Sequence, residues 1–213
     1  MTIDEFQALI PKIATVNLPG IDAHFKMAPL MRIKLGKNLD VAARNPKKSA
    51  VLALLYPNEA QELQMVFMLR KTYKGIHSNQ ISFPGGKVED SDNNLLETAL
   101  RETFEEVGVP ANTIKIIAKL TATYIPPSNF LVQPFLGYCT QKPTFVLDAK
   151  EVEKLITIPL KFILDDAYVT SKIITTSYAK NIEVPVYKFK EDVIWGATAM
   201  LLSEIKELLL LVK

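Results

Sequence analysis

The stretch from Gly85 to Val109 reads GGKVEDSDNNLLETALRETFEEVGV, and the fold of the chain is predicted from it outward. Its first part predicts a tight turn and a short acidic loop. Its second part predicts a helix that ends at Gly108, because a glycine followed closely by Pro110 is a typical helix stop. Asn94 is the expected N-cap residue, and Glu97 three positions later completes part of a capping box.

The predicted helix carries an apolar stripe and a cluster of three glutamates. The stripe residues recur at helical spacing and are Leu96, Ala99, Leu100, Thr103 and Val107. The glutamates are predicted on the opposite side and are Glu102, Glu105 and Glu106. Like charges at this spacing cost a helix roughly 0.2–0.5 kcal/mol per pair, and the helix C-terminus also disfavours anions. A hard divalent cation such as Mg2+ reverses that balance, whereas a solvated acidic surface is the alternative for such a cluster taken alone.

The same stretch resembles the Nudix box, the signature of the Nudix hydrolase family, written G-x5-E-x7-R-E-U-x-E-E-x-G-U with U an aliphatic residue. The matching residues are Gly86, Arg101, Glu102, Glu105, Glu106, Gly108 and Val109. Asp92 fills the first acidic position, with eight residues before Arg101 instead of seven, and Thr103 replaces an aliphatic residue. The extra residue lies in the loop before the helix, so the register from Arg101 to Glu106 is kept.

This resemblance implies a metal-dependent hydrolase of a nucleoside diphosphate linked to another moiety. It implies that Mg2+ or Mn2+ is held by Glu102, Glu105, Glu106 and the backbone carbonyl of Gly86. Arg101 is expected to orient a carboxylate by a charge-assisted hydrogen bond. The general base is one of the helix carboxylates, with Glu105 as a candidate, or Glu151 from a later loop. For Glu151 an ordinary glutamate at a helix start is the alternative.

A second motif precedes the glycines and resembles the coenzyme A pyrophosphatase branch of the family, L-L-T-x-R-[SA]-x3-R-x3-G-x3-F-P-G-G. Arg70 and the run 83–86 match it in register, whereas Lys71, Gly75 and Asn79 depart from it. Lys74 stands next to the position of the missing arginine and could supply its charge.

The branch resemblance implies that Arg70, Lys74, Phe83 and Gly85 bind the substrate. That substrate would be coenzyme A or an acyl derivative, cleaved to 3′,5′-ADP and (acyl-)4′-phosphopantetheine. Solvated charges flanking a hairpin are the alternative for Arg70 and Lys74. His77 is either a ligand or a solvated surface residue.

Two other functions stay open at this point. One is a Nudix pyrophosphatase for ADP-ribose, a dinucleotide or a nucleoside triphosphate. The other is a Nudix-fold module that binds a nucleotide without cleaving it. The three retained glutamates argue against the second, because a sensor does not need the full metal cluster.

The order of strands, helix, strands and helix predicts an α+β fold, and the resemblance implies an α/β/α sandwich with a mixed sheet. Residues 1–47 are predicted as a helical and irregular extension, and residues 48–213 as the Nudix domain. The predicted strands are Ser49–Tyr56, Met65–Arg70, Ile81–Phe83, Ile114–Thr123, Phe130–Cys139, Tyr168–Thr176 and Ile182–Phe189. The later helices are predicted at Phe162–Asp166 and Thr198–Val212, and Pro134 indicates an edge strand or a bulge.

The composition is that of an ordinary globular protein of 213 residues, with 48% apolar and 23% charged residues. A net charge of +2 predicts no bulk attraction to nucleic acid or membranes. Cys139 is the only cysteine and is expected to be a buried structural thiol. We see no signal peptide and no apolar run of membrane-spanning length, so cytoplasm is the expected compartment. The expected partner is a small nucleotide substrate, and the apolar run in the last helix packs on the core or on a partner in a homodimer.

Overall fold

The computed structural model describes residues 1–36, 39–71, 80–175 and 181–213. Lys74, His77 and the predicted turn at 179–180 lie outside the described residues. The described strands are β1 Lys47–Pro57, β2 Leu63–Arg70, β3 Ile81–Ser82, β4 Gly85–Lys87, β5 Ile114–Lys119, β6 Thr123–Ile125, β7 Phe130–Cys139, β8 Val152–Pro159, β9 Val169–Ile174, β10 Ile182–Phe189 and β11 Asp192–Ile194. The described helices are α1 Ile3–Ile13, α2 Gly20–Lys26, α3 Leu30–Gly36, α4 Leu95–Val107, α5 Leu160–Ile163 and α6 Gly196–Val212.

One mixed sheet forms the centre of the fold, and a small antiparallel sheet lies beside it. In the central sheet the order is β3-β2-β1-β7-β5, while β4 pairs with β1, β6 with β7 and β8 with β2. The β1–β7 pair is parallel and the other pairs of this sheet are antiparallel. The small sheet has the order β11-β10-β9. The predicted α+β fold with a mixed sheet is confirmed.

Strand β1 is buried on both faces, and its alternating side chains contribute to two different cores. Ala53 and Leu55 pack into the cluster that also holds Phe6 of α1 and Leu202 of α6. The intervening positions, such as Leu52, pack into a cluster with α4. Because successive side chains of a strand point to opposite faces, one strand can serve both layers. The sheet therefore lies between α4 on one side and α1 with α6 on the other.

One prediction about the strands was wrong, and one of the two alternatives for Pro134 is excluded. The predicted long strand Ile114–Thr123 is divided into β5 and β6, with a register shift between Ile116 and Ala118. Pro134 does not lie on an edge strand, since β7 has β1 on one side and β5 and β6 on the other. Opposite Pro134 the chain leaves the ladder between β5 and β6, and Leu120 donates its N–H to the Pro134 carbonyl. A proline is tolerated there because the irregular stretch requires no backbone N–H donor from residue 134.

Three smaller differences concern segments taken for turns or helices. The segment 152–159 is strand β8, paired with β2, and the following helix α5 is four residues long and begins at Leu160. The predicted tight turn at 84–86 is partly strand, because β4 pairs antiparallel with β1.

Cys139 is 2% exposed and burial raises its pKa, so the predicted structural thiol is confirmed.

The N-terminal helices pack on the central layer. Phe6 and Ile13 are fully or nearly buried in the same core as α6. His24 of α2 lies 2.9 Å from the carboxylate of Glu204 in α6, and both side chains are buried. The division of the chain at residue 47 stays a prediction, although these contacts join the N-terminal helices to the core. Among the described residues, the structure has no helix of the length and apolarity that a membrane span requires.

Candidate active site between strand β4 and helix α4

Strand β4 lies close to its neighbours, so a glycine is required at residue 85, and the glycine at residue 86 leaves room for a carboxylate. Gly85 has φ of 148°, a conformation that residues with a side chain rarely adopt. A Cβ at Gly85 would lie 2.3 Å from the carbonyl oxygen of Ala50, and one at Gly86 would lie 2.3 Å from Oε1 of Glu102. The glycines therefore let the backbone of β4 approach both β1 and the carboxylate of α4.

Helix α4 begins and ends where the sequence predicts. The Asn94 side chain accepts hydrogen bonds from the N–H groups of Leu96 and Glu97, and Glu97 in turn accepts from the N–H of Asn93. Gly108 ends the helix in the left-handed conformation, with φ of 77°. The cap contacts and the buried stripe fix which face of the helix meets the sheet.

Glu106 does not lie opposite the apolar stripe, and that prediction was wrong. Its exposed fraction is 2%, whereas the side chain of Glu105 is 53% exposed and that of Glu102 is 14% exposed. Seven residues make almost two full helical turns, so Glu106 lies on the same face as Ala99. Glu106 is thus buried, Glu102 is mostly covered and Glu105 is open to solvent.

The carboxylate of Glu106 is held by β4 and β2. Its Oε2 accepts a hydrogen bond of 2.7 Å from the N–H of Gly85. Its Oε1 lies 3.2 Å from Nη2 of Arg70, an ion-pair distance without hydrogen-bond geometry, and has no hydrogen-bond partner in the described part of the chain. Burial raises the pKa of Glu106 to about 8, despite the opposing effects of Arg70 and the Gly85 N–H. One carboxylate oxygen of Glu106 is therefore buried without a hydrogen-bond partner among the described residues.

Arg70 is half-buried at the edge of the same group. Its Nε donates to the hydroxyl of Ser82 at 3.2 Å, and its Nη2 donates to the carbonyl oxygen of Gly85 at 2.7 Å. These contacts fix the guanidinium beside β4, so the alternative of a solvated charge flanking a hairpin was wrong for Arg70.

Arg101 connects the acidic loop to the helix carboxylates. Its Nε and Nη2 each donate to the carboxylate of Asp92 at 2.9 Å, and Nη2 also donates to the Lys87 carbonyl. Its Nη1 lies 2.9 Å from Glu105 and 3.2 Å from Glu102. The longer loop therefore still brings Asp92 to Arg101. The paired guanidinium holds the pKa of Asp92 well below its usual range.

We predict that Asp92→Asn lowers the free energy of unfolding by about 1.5–3 kcal/mol at pH 7, because the two hydrogen bonds from Nε and Nη2 of Arg101 lose their charged acceptor. The pKa of Asp92 is depressed in the folded state, so its contribution is present above the ordinary value of 3.8 and is lost as the pH falls through the folded-state pKa. Denaturant titrations from pH 7 downward should therefore show a constant difference between the two proteins that begins to narrow below about pH 3.8.

The matched control for this experiment is Asp90→Asn, an exposed carboxylate in the same loop. It should change the free energy of unfolding by less than about 0.5 kcal/mol. An equal loss in both variants would contradict the assignment of the effect to the Asp92–Arg101 pair.

Glu151 lies near the two less exposed helix carboxylates. It occupies the turn before β8 and is exposed, so the alternative of a glutamate at a helix start was wrong. Its backbone carbonyl accepts from the N–H of Lys71, which fixes the turn to the end of β2. Burial raises the pKa of Glu102 above its usual value, and the charge of Glu151 adds to the effect at both Glu102 and Glu106.

The donor set fits a divalent cation by its chemistry. Glu106 presents a buried oxygen without a hydrogen-bond partner among the described residues, and Gly86 leaves room for the Glu102 carboxylate against β4. Oxygen donors of this kind are the ligands of Mg2+ and Mn2+. As the side chains stand, no three acidic, histidine or cysteine residues in the described ranges converge on one point. Arg70 and Arg101 form ion pairs with the helix glutamates, so a bound cation would compete with their guanidinium groups.

An open cleft of about 260 Å³ lies beside this group. Arg70, Gly85 and Gly86 form one wall of it. Phe83 also lines the cleft but is 2% exposed and stacks on Phe67, so it supports the wall from behind. Trp195 and, in the first turn of α6, Thr198 also line the cleft.

Sequence reasoning did not assign the α6 residues to the site. The chain places them more than a hundred residues after β4, and nothing in their spacing indicates a ligand. The only local signal is the single tryptophan of the chain, followed directly by a glycine at the predicted helix start.

The chain is similar in sequence to several known proteins. A NUDIX domain profile matches residues 46–162. A peroxisomal coenzyme A diphosphatase from Caenorhabditis elegans is 30% identical over 161 residues, which are 75% of this chain and 67% of that protein. The Nudix hydrolase NudL of Yersinia enterocolitica is 33% identical over 134 residues, 62% of this chain and 66% of that protein. The matches thus span about two thirds of these relatives.

Two solved structures have the same fold at low identity. RenU, a Nudix hydrolase from M. smegmatis, superposes with a TM-score of 0.51 at 13% identity, over 79% of this chain and 88% of that one. A MutT/nudix family protein from Enterococcus faecalis gives 0.50 at 18% identity, over 75% and 60%. The profile match over more than half of the chain shows that it belongs to the NUDIX domain family. It is a Nudix hydrolase of the pyrophosphohydrolase type, and such enzymes generally use divalent metal ions.

Proposed function

We propose that the chain hydrolyses the pyrophosphate bond of coenzyme A or an acyl-coenzyme A, releasing 3′,5′-ADP and (acyl-)4′-phosphopantetheine. The observation that carries the proposal is the buried carboxylate of Glu106, held against β4 with one oxygen unsatisfied and Arg70 beside it. The coenzyme A diphosphatase among the relatives supports the choice of substrate. One water breaks the P–O–P bond of the phosphoanhydride, and each of the two phosphorus atoms becomes part of a phosphomonoester.

The cofactor in this proposal is Mg2+ or Mn2+, held by Glu102, Glu105, Glu106 and the Gly86 carbonyl. A bound divalent ion would neutralise the pyrophosphate and lower the pKa of a coordinated water. Of the donors, Glu106 and Glu102 are the less exposed pair and Glu105 is the outer one. Glu105 would have to exchange its contact with Arg101 to join them.

The remaining residues bind, position and accept a proton. Arg70 would contact a phosphate oxygen from the cleft wall, because its guanidinium is already fixed there by Ser82 and Gly85. Arg101, anchored by Asp92, would act as a positioning residue for Glu102. Glu151 is the proposed general base, since its charge is felt by both metal-binding carboxylates and it is open to water.

Three features expected from the sequence remain predictions. Lys74 as a substrate-binding residue lies outside the described part of the chain. The homodimer and the cytoplasmic compartment also stay predictions, and the worm relative is named a peroxisomal enzyme.

A substrate panel tests the proposed function. We expect CoA and octanoyl-CoA to be cleaved only with Mg2+ or Mn2+, with loss of activity in a chelator and recovery when the ion is restored. ADP-ribose should be cleaved at least about a hundredfold more slowly, since it lacks the pantetheine arm. Chromatography of 3′,5′-ADP gives the rate for CoA substrates.

Two outcomes of the panel would overturn the assignment in different ways. Turnover of ADP-ribose with CoA left intact would mean a Nudix hydrolase for another nucleoside diphosphate. Saturable nucleotide binding without turnover of any member, in either metal, would mean a binding module.

A further inference from the structure

A second chamber lies next to the catalytic cleft and has a volume of about 230 Å³. We call it the apolar chamber, and its own lining residues include Pro29, Met31, Tyr124, Pro127, Ile182 and Met200. It shares the lining residues Ile125, Trp195, Gly196 and Ala197 with the catalytic cleft. The two spaces therefore lie side by side across the start of α6.

Part of the apolar chamber comes from outside the matched NUDIX region. Residues 29–32 belong to the N-terminal segment, and Ile182 and Met200 follow the end of the match at residue 162. The match thus covers the residues around β4 and α4 but only one side of the apolar chamber. Substrate features recognised in the chamber would be decided by these additional segments.

Arg32 is the one charged residue among the described residues that line the chamber. Its Nη2 donates to the carbonyl oxygen of Tyr124, while its Nη1 is buried and has no hydrogen-bond partner in the described part of the chain. Burial lowers the pKa of Arg32 from its ordinary value. A buried donor without a partner is unfavourable, so a ligand oxygen that accepts from it would be favoured.

The chemistry of the chamber selects between the two arms of the substrate. The 3′-phosphoadenosine arm carries a charged phosphomonoester, and a mostly apolar chamber with a single guanidinium would desolvate that charge at a large cost. The acyl-pantetheine arm is an apolar chain with amide and thioester carbonyls, which need few donors. Met31, which lines the chamber, is 62% exposed, and its neighbour in sequence, Leu30, is 77% exposed, so apolar surface continues outward from Met31.

We propose that the apolar chamber binds the acyl-pantetheine arm of the substrate, with Arg32 Nη1 donating to one of its carbonyl oxygens and Met31 contacting the acyl chain. The proposal rests on the proposed function and adds a residue-level basis for acyl specificity. The enzyme should therefore favour acyl-CoA over free CoA through KM, since the acyl chain adds buried apolar area.

The kinetic test compares octanoyl-CoA with CoA in the full chain and in Met31→Glu. In the unmodified enzyme we expect the KM of octanoyl-CoA to be about fivefold below that of CoA. Met31→Glu should raise the KM of octanoyl-CoA about tenfold more than that of CoA, since the carboxylate removes the apolar contact of the acyl chain, whereas its repulsion of the phosphates is common to both substrates. The matched control is Leu211→Glu, an apolar residue with the same 62% exposure at the end of α6.

A binding test without turnover uses Trp195, the single tryptophan of the chain and a lining residue of both spaces. Octanoyl-4′-phosphopantetheine has no anhydride to cleave and should change the tryptophan fluorescence on saturation. Met31→Glu should weaken that binding about tenfold, whereas the binding of 3′,5′-ADP should keep its affinity.

The outcomes separate the two proposals. If neither CoA nor octanoyl-CoA is cleaved, the proposed function fails. If both are cleaved but Met31→Glu leaves the KM ratio and the octanoyl-phosphopantetheine affinity unchanged, the acyl-arm inference alone is overturned. A selective loss of 3′,5′-ADP binding in Met31→Glu would overturn it as well, because the adenosine arm would then occupy the chamber.

Discussion

Replacing Glu106 by glutamine is expected to lower kcat at least about a hundredfold, equivalent to about 2.7 kcal/mol of transition-state stabilisation. The buried carboxylate is the donor that we propose at the centre of the metal site, and an amide oxygen is a weaker ligand for a hard cation. Rates with CoA and Mg2+ measure the loss. Calorimetric titration with Mn2+ should find weaker cation uptake in the same variant.

The fold should survive this substitution. Glutamine has the same shape, and its carbonyl oxygen can accept the hydrogen bond that the Gly85 N–H donates to Glu106. Because burial already raises the pKa of Glu106 to about 8, a neutral side chain adds no burial cost there. The thermal midpoint should therefore be unchanged or higher.

The matched control is Glu97→Gln in the first turn of the same helix, and we expect its kcat within about twofold of the unmodified value. A kcat for Glu106→Gln within tenfold of the unmodified protein, with undiminished Mn2+ uptake, would contradict the cation-binding role of this helix.

Replacing Gly85 by alanine is expected to lower the free energy of unfolding by about 3 kcal/mol or more. At φ of 148° a side chain is strained by about 1–3 kcal/mol. Its Cβ would also lie 2.3 Å from the Ala50 carbonyl oxygen and 2.6 Å from the Cα of Val51, and neither backbone atom can move without separating β4 from β1. Denaturant unfolding of purified protein measures the loss, and accumulation as insoluble protein agrees with it.

The control is Gly196→Ala, another glycine with positive φ. Its φ is 63° and an added Cβ would meet no atom within 4 Å, so it carries the conformational cost alone. We expect a loss of about 1–2 kcal/mol there. Equal losses at the two glycines would mean that the close approach of β4 to β1 contributes nothing.

Local pattern predicted those parts of the site whose residues are near one another in sequence. The Asn94 cap, the Gly108 stop and the stripe through Ala99 all follow from helical spacing, and each is present. The position of Glu106 followed from the same spacing, but grouping it with its acidic neighbours by charge led to the wrong face. Charge alone did not reveal that a carboxylate could be buried where a backbone N–H and a guanidinium reach it.

The sequence by itself determined the family, the order of the elements and the residues at which α4 begins and ends, because short-range spacing and glycine chemistry control these features. The tertiary structure alone decided which glutamate is buried, that β8 pairs with β2, and that Trp195 and the N-terminal segment meet beside the cleft. Those features depend on contacts between residues far apart in the chain. Their geometry is set by how two cores pack on opposite faces of one sheet, and no local pattern encodes it.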